Sequence, residues 1–423
     1  MPSAPERADP AIRAAGWALF VFSLFPYLSI IPIPTDTQPY AVVFAALIFL
    51  TGRSVALPLT IWILFAVMVV ATIVYLATGA TFNGLRSMVG YASVFLVSAA
   101  VLILASHGIR LSDRMLDAAV YIWFVVGVVQ RFIYSDFLAM ILTRSGTSEG
   151  RGVTSLAVEP SAYATMMLFI LIIYFIRGRE RSWPAILGLL QILFLAQSAL
   201  GILFALFAVG LYTLIRLSAP AALIMLLTLA GISYFLLVNA DNLLPGTRIG
   251  GLLMLLRDRP ELILAADQSV AARAANIFYS INGAFESWLV PHGFDAWTSY
   301  ADRQEQIYSD IFIKRGLTGD RIMSGYGAIL FELGMLGLAV PVVMTIGIWR
   351  TFGMRARDKA VALFLLIHGL MVMPVVLALP MVGVLIGELF VGQPYWVPSH
   401  LMRRIATPLQ THDLSGRAHG GSS

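Results

Sequence analysis

The sequence predicts an all-α, polytopic integral membrane protein with about twelve transmembrane helices and two outward-facing loops. Of the 423 residues, 59% are hydrophobic and 12% are charged, against the ~25% charge of an ordinary soluble domain. The mean hydropathy is +0.84, and the apolar residues stand in long unbroken runs. Such runs suit helices in lipid, and they exclude a soluble enzyme, a disordered chain and a barrel of alternating strands.

Twelve apolar stretches are long enough to be helices in a bilayer core of ~30 Å. The run 184–216 is divided at 198–201, because one helix of that length at ~1.5 Å per residue would greatly exceed the bilayer core. The last two stretches are divided near 374–380. In chain order the stretches are 14–33, 39–51, 55–78, 87–106, 115–133, 159–176, 184–199, 200–216, 220–238, 322–349, 359–375 and 376–392.

The distribution of Lys and Arg predicts which helix ends face the cytoplasm. Sixteen of the 28 basic residues lie in or beside one set of helix ends. The opposite short turns carry almost none, and Arg86 is the exception. By the positive-inside rule, both termini are cytoplasmic, and the loops 134–158 and 239–321 face the periplasm.

Three regions follow from this topology. Residues 1–13 form a polar cytoplasmic N-terminus, and residues 14–392 form the transmembrane domain together with both periplasmic loops. Residues 393–423 are polar, end in Gly and Ser, and are predicted to be a disordered cytoplasmic tail. The first apolar stretch lacks a small-x-small cleavage site, so we interpret it as a retained helix rather than a signal peptide.

Composition also excludes several kinds of site. The chain has no cysteine, so disulfides, thiolate nucleophiles, iron–sulfur clusters and cysteine-based zinc sites are excluded. No His or carboxylate spacing indicates a metal site, and we expect no cofactor. The net charge of +5 does not indicate nucleic-acid binding, because the basic residues lie at the ends of apolar runs instead of alternating with aromatic residues.

The loop 239–321 is unusually long for a connection between helices and is rich in aromatic residues. A loop of this length is typically functional, although a structural cap over the bundle is the alternative. Its alanine-rich portion, 261–285, is predicted to be helical or interfacial. No internal repeat is visible, which argues against a transporter built from inverted repeats. The aromatic residues are Phe278, Tyr279, Phe285, Trp288, Phe294, Trp297, Tyr300, Tyr308 and Phe312.

A first candidate site runs from the first outer loop into the sixth helix. Pro160 suits the first turn of a helix, so we expect the helix to begin at or near Glu159. A helix N-terminus at the outer membrane face favours anions, and Arg144 and Arg151 add positive charge just before it. Tyr163 follows in the first turn. The alternative is that Glu159 only caps the helix and pairs with an arginine.

A second candidate site lies in the loop 239–321, where arginines stand near aromatic residues. A guanidinium suits a phosphate because its planar fork donates two parallel hydrogen bonds, and aromatic rings would stack on sugar faces. His292 is the only histidine in either outer loop, and it is either a general base or simply a polar loop residue. The residues concerned are Arg248, Arg257, Arg259, Ser269, Arg273, Trp288 and His292.

A third candidate segment, 320–337, leads from the long loop back into the membrane. Its small residues are spaced so that helices can approach closely, and helix packing is the simpler interpretation. Glu332 lies inside the predicted helix, where a carboxylate must face protein or water. Tyr326, in the same segment, is a candidate for contact with a substrate.

These segments resemble sequences of the O-antigen polymerase/ligase superfamily, bacterial membrane proteins that polymerise or transfer lipid-linked oligosaccharides. The family often carries a His-Asn pair before its Glu-Leu-Gly helix. This chain has Arg321 and Ser324-Gly325 in that region, which favours a polymerase over a ligase. The resemblance covers about residues 150–340. Its features are an arginine leading into Glu-Pro-Ser (151–163), a hinge (197–201), Ser-x-x-x-Arg (269–273), a glycine turn (292–294) and Glu-Leu-Gly-x-x-Gly (332–337).

The resemblance implies a GT-C-like, metal-independent glycosyltransferase that acts at the periplasmic face of the bacterial inner membrane. Donor and acceptor would be undecaprenyl-pyrophosphate-linked glycans in the lipid bilayer, and a chain-length regulator is a further candidate partner. Arg151 and Arg273 would hold the pyrophosphate, and Glu159 or His292 would orient or deprotonate the acceptor hydroxyl. The candidate substrate-binding residues are Arg144, Arg248, Tyr163, Trp288 and Tyr326.

The function that these features favour is polymerisation of repeat units into an O-antigen, capsule or exopolysaccharide. The alternatives are a ligase that moves glycan from the lipid carrier to an acceptor, a flippase of lipid-linked sugars, and a structural or assembly protein. A flippase should have a polar central cavity and repeated halves. This chain instead concentrates its polar residues in the outer loops.

Overall fold

The computed structural model describes most of the apolar stretches and a large part of the long loop. At residues 199–200, 248–249, 261, 265–266, 268–269, 368 and 371–372 only the backbone is described. The described residues are 9–31, 35, 37–52, 55–79, 81–142, 152–243, 245, 248–266, 268–312, 319, 321–351, 353–372 and 379–391.

Regular structure in these residues is helical, and they contain no strand. Short 3-10 turns lie at Ala139–Ile141, Pro260–Leu262 and Gly334–Leu338, and a π-helical turn lies at Gln191–Ala196. In chain order the α-helices are α1 (Pro10–Leu24), α2 (Tyr40–Thr51), α3 (Leu59–Ala77), α4 (Phe82–Ser106), α5 (Asp113–Phe132), α6 (Pro160–Ile176), α7 (Trp183–Leu190), α8 (Ala199–Leu214), α9 (Ala219–Val238), α10 (Ala240–Leu243), α11 (Arg248–Asp258), α12 (Ile263–Ala266), α13 (Gln268–Glu286), α14 (Ala296–Ile307), α15 (Gly325–Leu333), α16 (Ala339–Arg350), α17 (Ala356–Val372) and α18 (Pro380–Val391).

Five helical runs of the described residues are long and apolar enough to cross a membrane. They are α3, α4, α5, α9 and the run Gly325–Arg350, and shorter apolar helices accompany them. The all-α class is thereby confirmed, and the five candidate spans support a helical membrane protein. The total of twelve spans, the GT-C-like architecture and the orientation stay predictions.

Several helix ends follow from local sequence. Helix α6 begins at Pro160, directly after Glu159, as predicted. The run 184–216 divides where the sequence predicted, because the π-helical turn ends at Gln197 in the left-handed region (φ 46°) and α8 begins two residues later. Helix α1 ends at Leu24, well short of the predicted residue 33. Proline at position 26 explains this end, since it disfavours a helical conformation in the residue before it.

The predicted stretch 322–349 is not one regular helix. Helix α15 ends at Leu333, and Gly334 adopts a φ of 61° before a 3-10 turn leads into α16. A Cβ on Gly334 would lie 2.1 Å from the carbonyl oxygen of Leu289, so the backbone of the long loop reaches the bundle at this point. Glycine tolerates both the positive φ and the close approach.

Helix α4 lies at the centre of the packing and contacts α1, α2, α3 and α18. Gly383 and Gly387 of α18 face Val97 and Val101 of α4, and a Cβ on either glycine would lie 2.6 Å from the Cβ of its valine. Glycines of this kind let two helices approach closely in lipid. None of the residues of α9, by contrast, is buried.

The ion pairs of Arg177 and Arg216 lie at helix ends that the sequence predicts to be cytoplasmic. Arg177, which follows α6, donates to Asp113 at 2.7 Å and to Glu388 at 2.9 Å, and so joins α5, α6 and α18. Arg216, which follows α8, donates to Asp358 of α17 at 2.8 Å. Each pair neutralises partly buried charge where two or three helices converge.

The part of the long loop from 268 to 312, termed the outer segment, is folded and carries its own apolar cluster. Helices α13 and α14 pack together around Tyr279, Trp297 and Tyr300, and Phe331 of α15 joins the same cluster. Burial raises the pKa of Tyr279 to about 12, and the negative charge of Glu305 adds to the shift. The tyrosine is therefore neutral at physiological pH.

Candidate functional site

A cavity of about 230 Å³ lies where the outer segment meets α4 and α15. It is at the opposite end of the helices from the ion pairs of Arg177 and Arg216. Its walls come from the connection between α1 and α2, the N-terminal half of α4, the outer segment and the residues leading into α15. Its polar lining includes Gln38, Asn83, Arg86, Ser87, Tyr91, Arg321 and Glu332.

Glu332 is the buried acid of this cavity, with 8% of its surface exposed. The hydroxyl of Tyr91 donates to its Oε2 at 2.8 Å, and the hydroxyl of Ser87 donates to its Oε1 at 3.1 Å. Both donors lie on α4, so the carboxylate joins α15 to the central helix. A carboxylate away from bulk water is costly unless it is hydrogen-bonded, and these two hydroxyls supply that compensation.

The outer segment brings two aromatic side chains to the cavity. Thr81 donates its hydroxyl to Asp295 at 2.5 Å, and Gly293, at a φ of 85°, packs directly on Thr78. These contacts dock the segment on the turn before α4. Phe294 and Trp297 therefore line the cavity, and the Phe294 ring lies 6.1 Å from the ring of Tyr91.

Two arginines reach the cavity from separate parts of the chain. Arg86 comes from the second turn of α4, and Arg321 comes from the segment that leads into α15. The guanidinium carbon of Arg86 lies 6.0 Å from the Phe82 ring. Guanidinium groups can donate to phosphate oxygens and to sugar hydroxyls alike. The cavity thus combines cationic donors, a buried acceptor and aromatic surfaces.

Neither arginine was predicted to be a site residue, although Arg321 lies in the third candidate segment, 320–337. One signal was present, since Arg86 is the exceptional basic residue among the short outer turns. Glu332 was recognised as an acid inside a helix, but its partners Ser87 and Tyr91 could not be identified. They lie 245 and 241 residues away in the chain.

His292 is packed into the junction between the outer segment and α15. Its ring stacks on Phe331 with centroids 4.3 Å apart, and its Nε2 donates to the carbonyl of Gly283 at 2.9 Å. Its backbone amide donates to the Phe331 carbonyl at 3.0 Å. In this arrangement Nδ1 is the ring nitrogen that could accept a proton, and the role of His292 as a base stays a prediction.

The predicted aromatic binding residues differ in their surroundings. Trp288 is 90% exposed, so its ring is open to a ligand at the surface. Tyr326 is half-buried on α15 and packs against the main core. Tyr163 has no exposed surface, because its ring stacks on Trp123 and its hydroxyl donates to Gln191 at 2.6 Å. Contact between Tyr163 and a substrate would require these helices to separate.

The predicted charged residues are described only in part. Glu159 is half-buried directly before α6, and the hydroxyl of Ser161 donates to it. Arg273 is half-buried on α13. Arg144 and Arg151 lie outside the described residues, and Arg248 begins α11 with its side chain not described. The pairing of Arg151 with Arg273 around a pyrophosphate therefore stays a prediction.

A buried irregular segment, 152–158, leads into Glu159, and sequence reasoning missed it. Gln130 holds it by donating to the Ser155 carbonyl at 2.9 Å and accepting from the Ser155 amide at 2.6 Å. The amide of Val153 donates to the carbonyl of Leu195, in the π-helical turn, at 2.9 Å. Irregular backbone can be buried where the rest of the protein satisfies its polar groups, as Gln130 and Leu195 do here.

Comparison with known proteins adds no family to this geometry. The chain matches no protein-family model and no curated protein. Within the part of the chain that the structure describes, no group of three His, Asp or Glu side chains is placed to hold a metal ion.

Proposed function

We propose that this protein polymerises oligosaccharide repeat units, carried on undecaprenyl pyrophosphate, at the outer face of the bacterial inner membrane. The product would be an O-antigen, a capsule or an exopolysaccharide. The proposal combines the resemblance of the segments 151–163, 269–273 and 332–337 to the polymerase/ligase superfamily with the chemistry of the cavity between α4, α15 and the outer segment.

The cavity is the observation that supports this proposal best. Arg86 and Arg321 offer hydrogen-bond donors, Glu332 offers an acceptor, and Phe294 and Trp297 offer aromatic surfaces. Donors, an acceptor and aromatic faces together suit a sugar or a sugar phosphate. The cavity also lies at the end of the helices that carries the outer segment, whereas a flippase would be expected to place its polar site near the middle of the membrane.

The reaction exchanges one bond for another. The oxygen of an acceptor hydroxyl attacks the anomeric carbon of the donor sugar, and the bond from that carbon to the pyrophosphate oxygen breaks. The hydroxyl proton passes to a base, and the pyrophosphate leaves with the bonding electron pair, still attached to its lipid. The transition state therefore needs positive charge near the leaving group and a proton acceptor near the hydroxyl.

Arg151 and Arg273 are the proposed leaving-group residues, because a guanidinium can bind two phosphate oxygens at once. Glu159 is the first choice for the proton acceptor, since it is half-buried at the start of α6, directly after Arg151 and the buried segment 152–158. His292 is the second choice, and it would act through Nδ1.

Deletion of the gene tests the proposed function. We expect the deletion strain to carry single repeat units where the parent strain carries long chains, and we expect the parent gene to restore the long chains. The measurement is the size profile of the surface glycan, with the lipid-linked pool analysed in parallel. Accumulation of full-length lipid-linked polymer with none transferred would instead identify a ligase. An unchanged size profile would contradict both functions.

A further inference from the structure

The cavity between α4, α15 and the outer segment has features that distinguish one ligand from another. Its volume is about 230 Å³. It is smaller than the ~300–1,000 Å³ typical of pockets for drug-sized ligands. The walls can therefore enclose one sugar ring, with the rest of an oligosaccharide outside the cavity.

The floor of the cavity favours a hydroxyl-bearing ligand over an anion. Glu332 is buried there, and its two oxygens accept hydrogen bonds from Tyr91 and Ser87. A ligand hydroxyl can donate to such an oxygen, whereas a phosphate oxygen can only accept. The two oxygens of Glu332 have about four acceptor positions, and Tyr91 and Ser87 occupy two of them. A further hydroxyl could therefore bind Glu332 without displacing either of its present partners.

The walls of the cavity suit the rest of a sugar ring. Phe294 and Trp297 provide apolar surface for the C–H face of a pyranose, as aromatic side chains do for rings of this kind. Arg86 and Arg321 provide donors for its other oxygens.

We propose that this cavity binds a single sugar of the acceptor glycan, and that Glu332 accepts a hydrogen bond from one of its hydroxyls. This assignment rests on the proposed function, because a polymerase must hold an acceptor glycan as well as a donor. It separates two subsites, with the leaving-group arginines Arg151 and Arg273 at one and Glu332 at the other. Glu332 is then an acceptor-binding residue.

The test is a labelling experiment on the full chain in lipid nanodiscs, which is possible because the protein has no cysteine of its own. Asn83 is exposed and lines the cavity, so Asn83→Cys reports on its occupancy by the rate of reaction with a maleimide. Leu85→Cys is a second reporter in the same wall. Ser299→Cys, exposed on α14 and not part of the lining, is the control.

The first probe is the free repeat-unit oligosaccharide released from the source strain's own polysaccharide, and the second is inorganic pyrophosphate. We expect the oligosaccharide to slow labelling of both reporters at least five-fold and to leave Ser299→Cys unchanged. Glu332→Gln should remove this protection while its melting temperature stays within a few degrees of the parent. Loss of protection with an unchanged melting temperature is not expected of a residue that only joins α4 to α15.

Protection by pyrophosphate and not by the oligosaccharide would assign the cavity to the leaving group and overturn the proposal. Protection by neither probe would also overturn it, as would full protection in Glu332→Gln. If Glu332→Gln does not fold, the two reporters in the otherwise unchanged chain still decide between these outcomes. The deletion strain judges the proposed function separately: single repeat units there, together with no protection here, would reject only the sugar site.

Discussion

At the scale of single residues, charged side chains at positions where the sequence pattern does not expect them indicated the site best. Glu332 stood out in the sequence as an acid inside an apolar helix, and the structure gives it hydroxyl partners from α4. Those partners were beyond prediction, because nothing local in the sequence relates α4 to α15. Arg86 was an exception to the charge asymmetry and Arg321 lay in the third candidate segment, but only the structure shows that both line one cavity.

The two leaving-group arginines give a direct prediction. Replacing Arg151 or Arg273 with Ala removes charge-assisted hydrogen bonds worth roughly 1.5–3 kcal/mol. If these bonds form mainly in the transition state, the rate should fall about ten- to a hundred-fold. Lysine keeps the charge and loses the fork, so Arg151→Lys and Arg273→Lys should restore activity only in part. The measurement is polymer length in cells.

The control for this prediction is Arg303, which is exposed on α14 with its guanidinium 5.8 Å from the Tyr300 ring. Arg303→Ala should leave polymer length unchanged. Protein abundance in the membrane must be measured alongside. Full-length polymer from both Arg151→Ala and Arg273→Ala at normal abundance would exclude a role for these arginines in binding the pyrophosphate. Loss of the protein itself would show that the arginines are structural.

A second prediction separates the two candidate bases. The ring of His292 already stacks on Phe331 and donates to Gly283, so a phenylalanine at 292 can keep the stack. We therefore expect His292→Phe to retain polymer of nearly normal length, whereas Glu159→Gln should reduce the polymerisation rate by about 10²–10⁴-fold, the usual contribution of a general base. The opposite pattern, at equal protein abundance, would assign the base to His292.

At the scale of helices, the sequence predicted the ends of helices correctly where the cause is local to the chain. Pro160 marks the start of α6, and the need to keep a helix within the bilayer led to the division that the structure places at Gln197. The predicted stretch 322–349 corresponds to the helical run Gly325–Arg350. The irregularity inside it was not predicted, because its cause lies elsewhere in the chain. Gly334 interrupts the run 322–349 because the backbone of Leu289 lies against it, and periodicity carries no trace of that contact.

The contact between α4 and α18 provides a prediction at this scale. A Cβ on Gly387 would lie 2.6 Å from Val101, so Gly387→Ala should force the helices apart and cost about 1–3 kcal/mol of stability. Gly210 of α8 has no atom within 4 Å of such a Cβ, so Gly210→Ala is the matched control and should be neutral or slightly stabilising. Thermal unfolding of the purified protein measures both, and equal melting temperatures would contradict the close approach.

At the scale of the whole molecule, the two ends of the bundle differ in the features that they carry. The ion pairs of Arg177 and Arg216 lie at one end, and the cavity and the outer segment lie at the other. The same division follows from counting Lys and Arg along the sequence, since short connections obey the positive-inside rule. The folded outer segment was beyond such counting, because its apolar cluster forms between α13, α14 and α15.

Labelling of single cysteines tests the predicted orientation. Thr51 is exposed at the end of α2, on the predicted cytoplasmic side, and Ser299 is exposed on the outer segment. In intact spheroplasts a membrane-impermeant maleimide should therefore label Ser299→Cys and should label Thr51→Cys only after the membrane is permeabilised. The reverse pattern would show that the chain is inserted the other way round.

The absence of buried residues from α9 has a consequence for how the sequence of this helix can evolve. None of its residues is buried, although the whole helix is apolar enough to cross a membrane. We expect such a helix to meet lipid over most of its surface, and its side chains are then selected for hydrophobicity and not for shape. Leucine, isoleucine, valine and phenylalanine are then interchangeable along α9, and we expect its sequence to drift freely among descendants. Gly383 and Gly387, where a single methyl group would collide with α4, allow no such freedom.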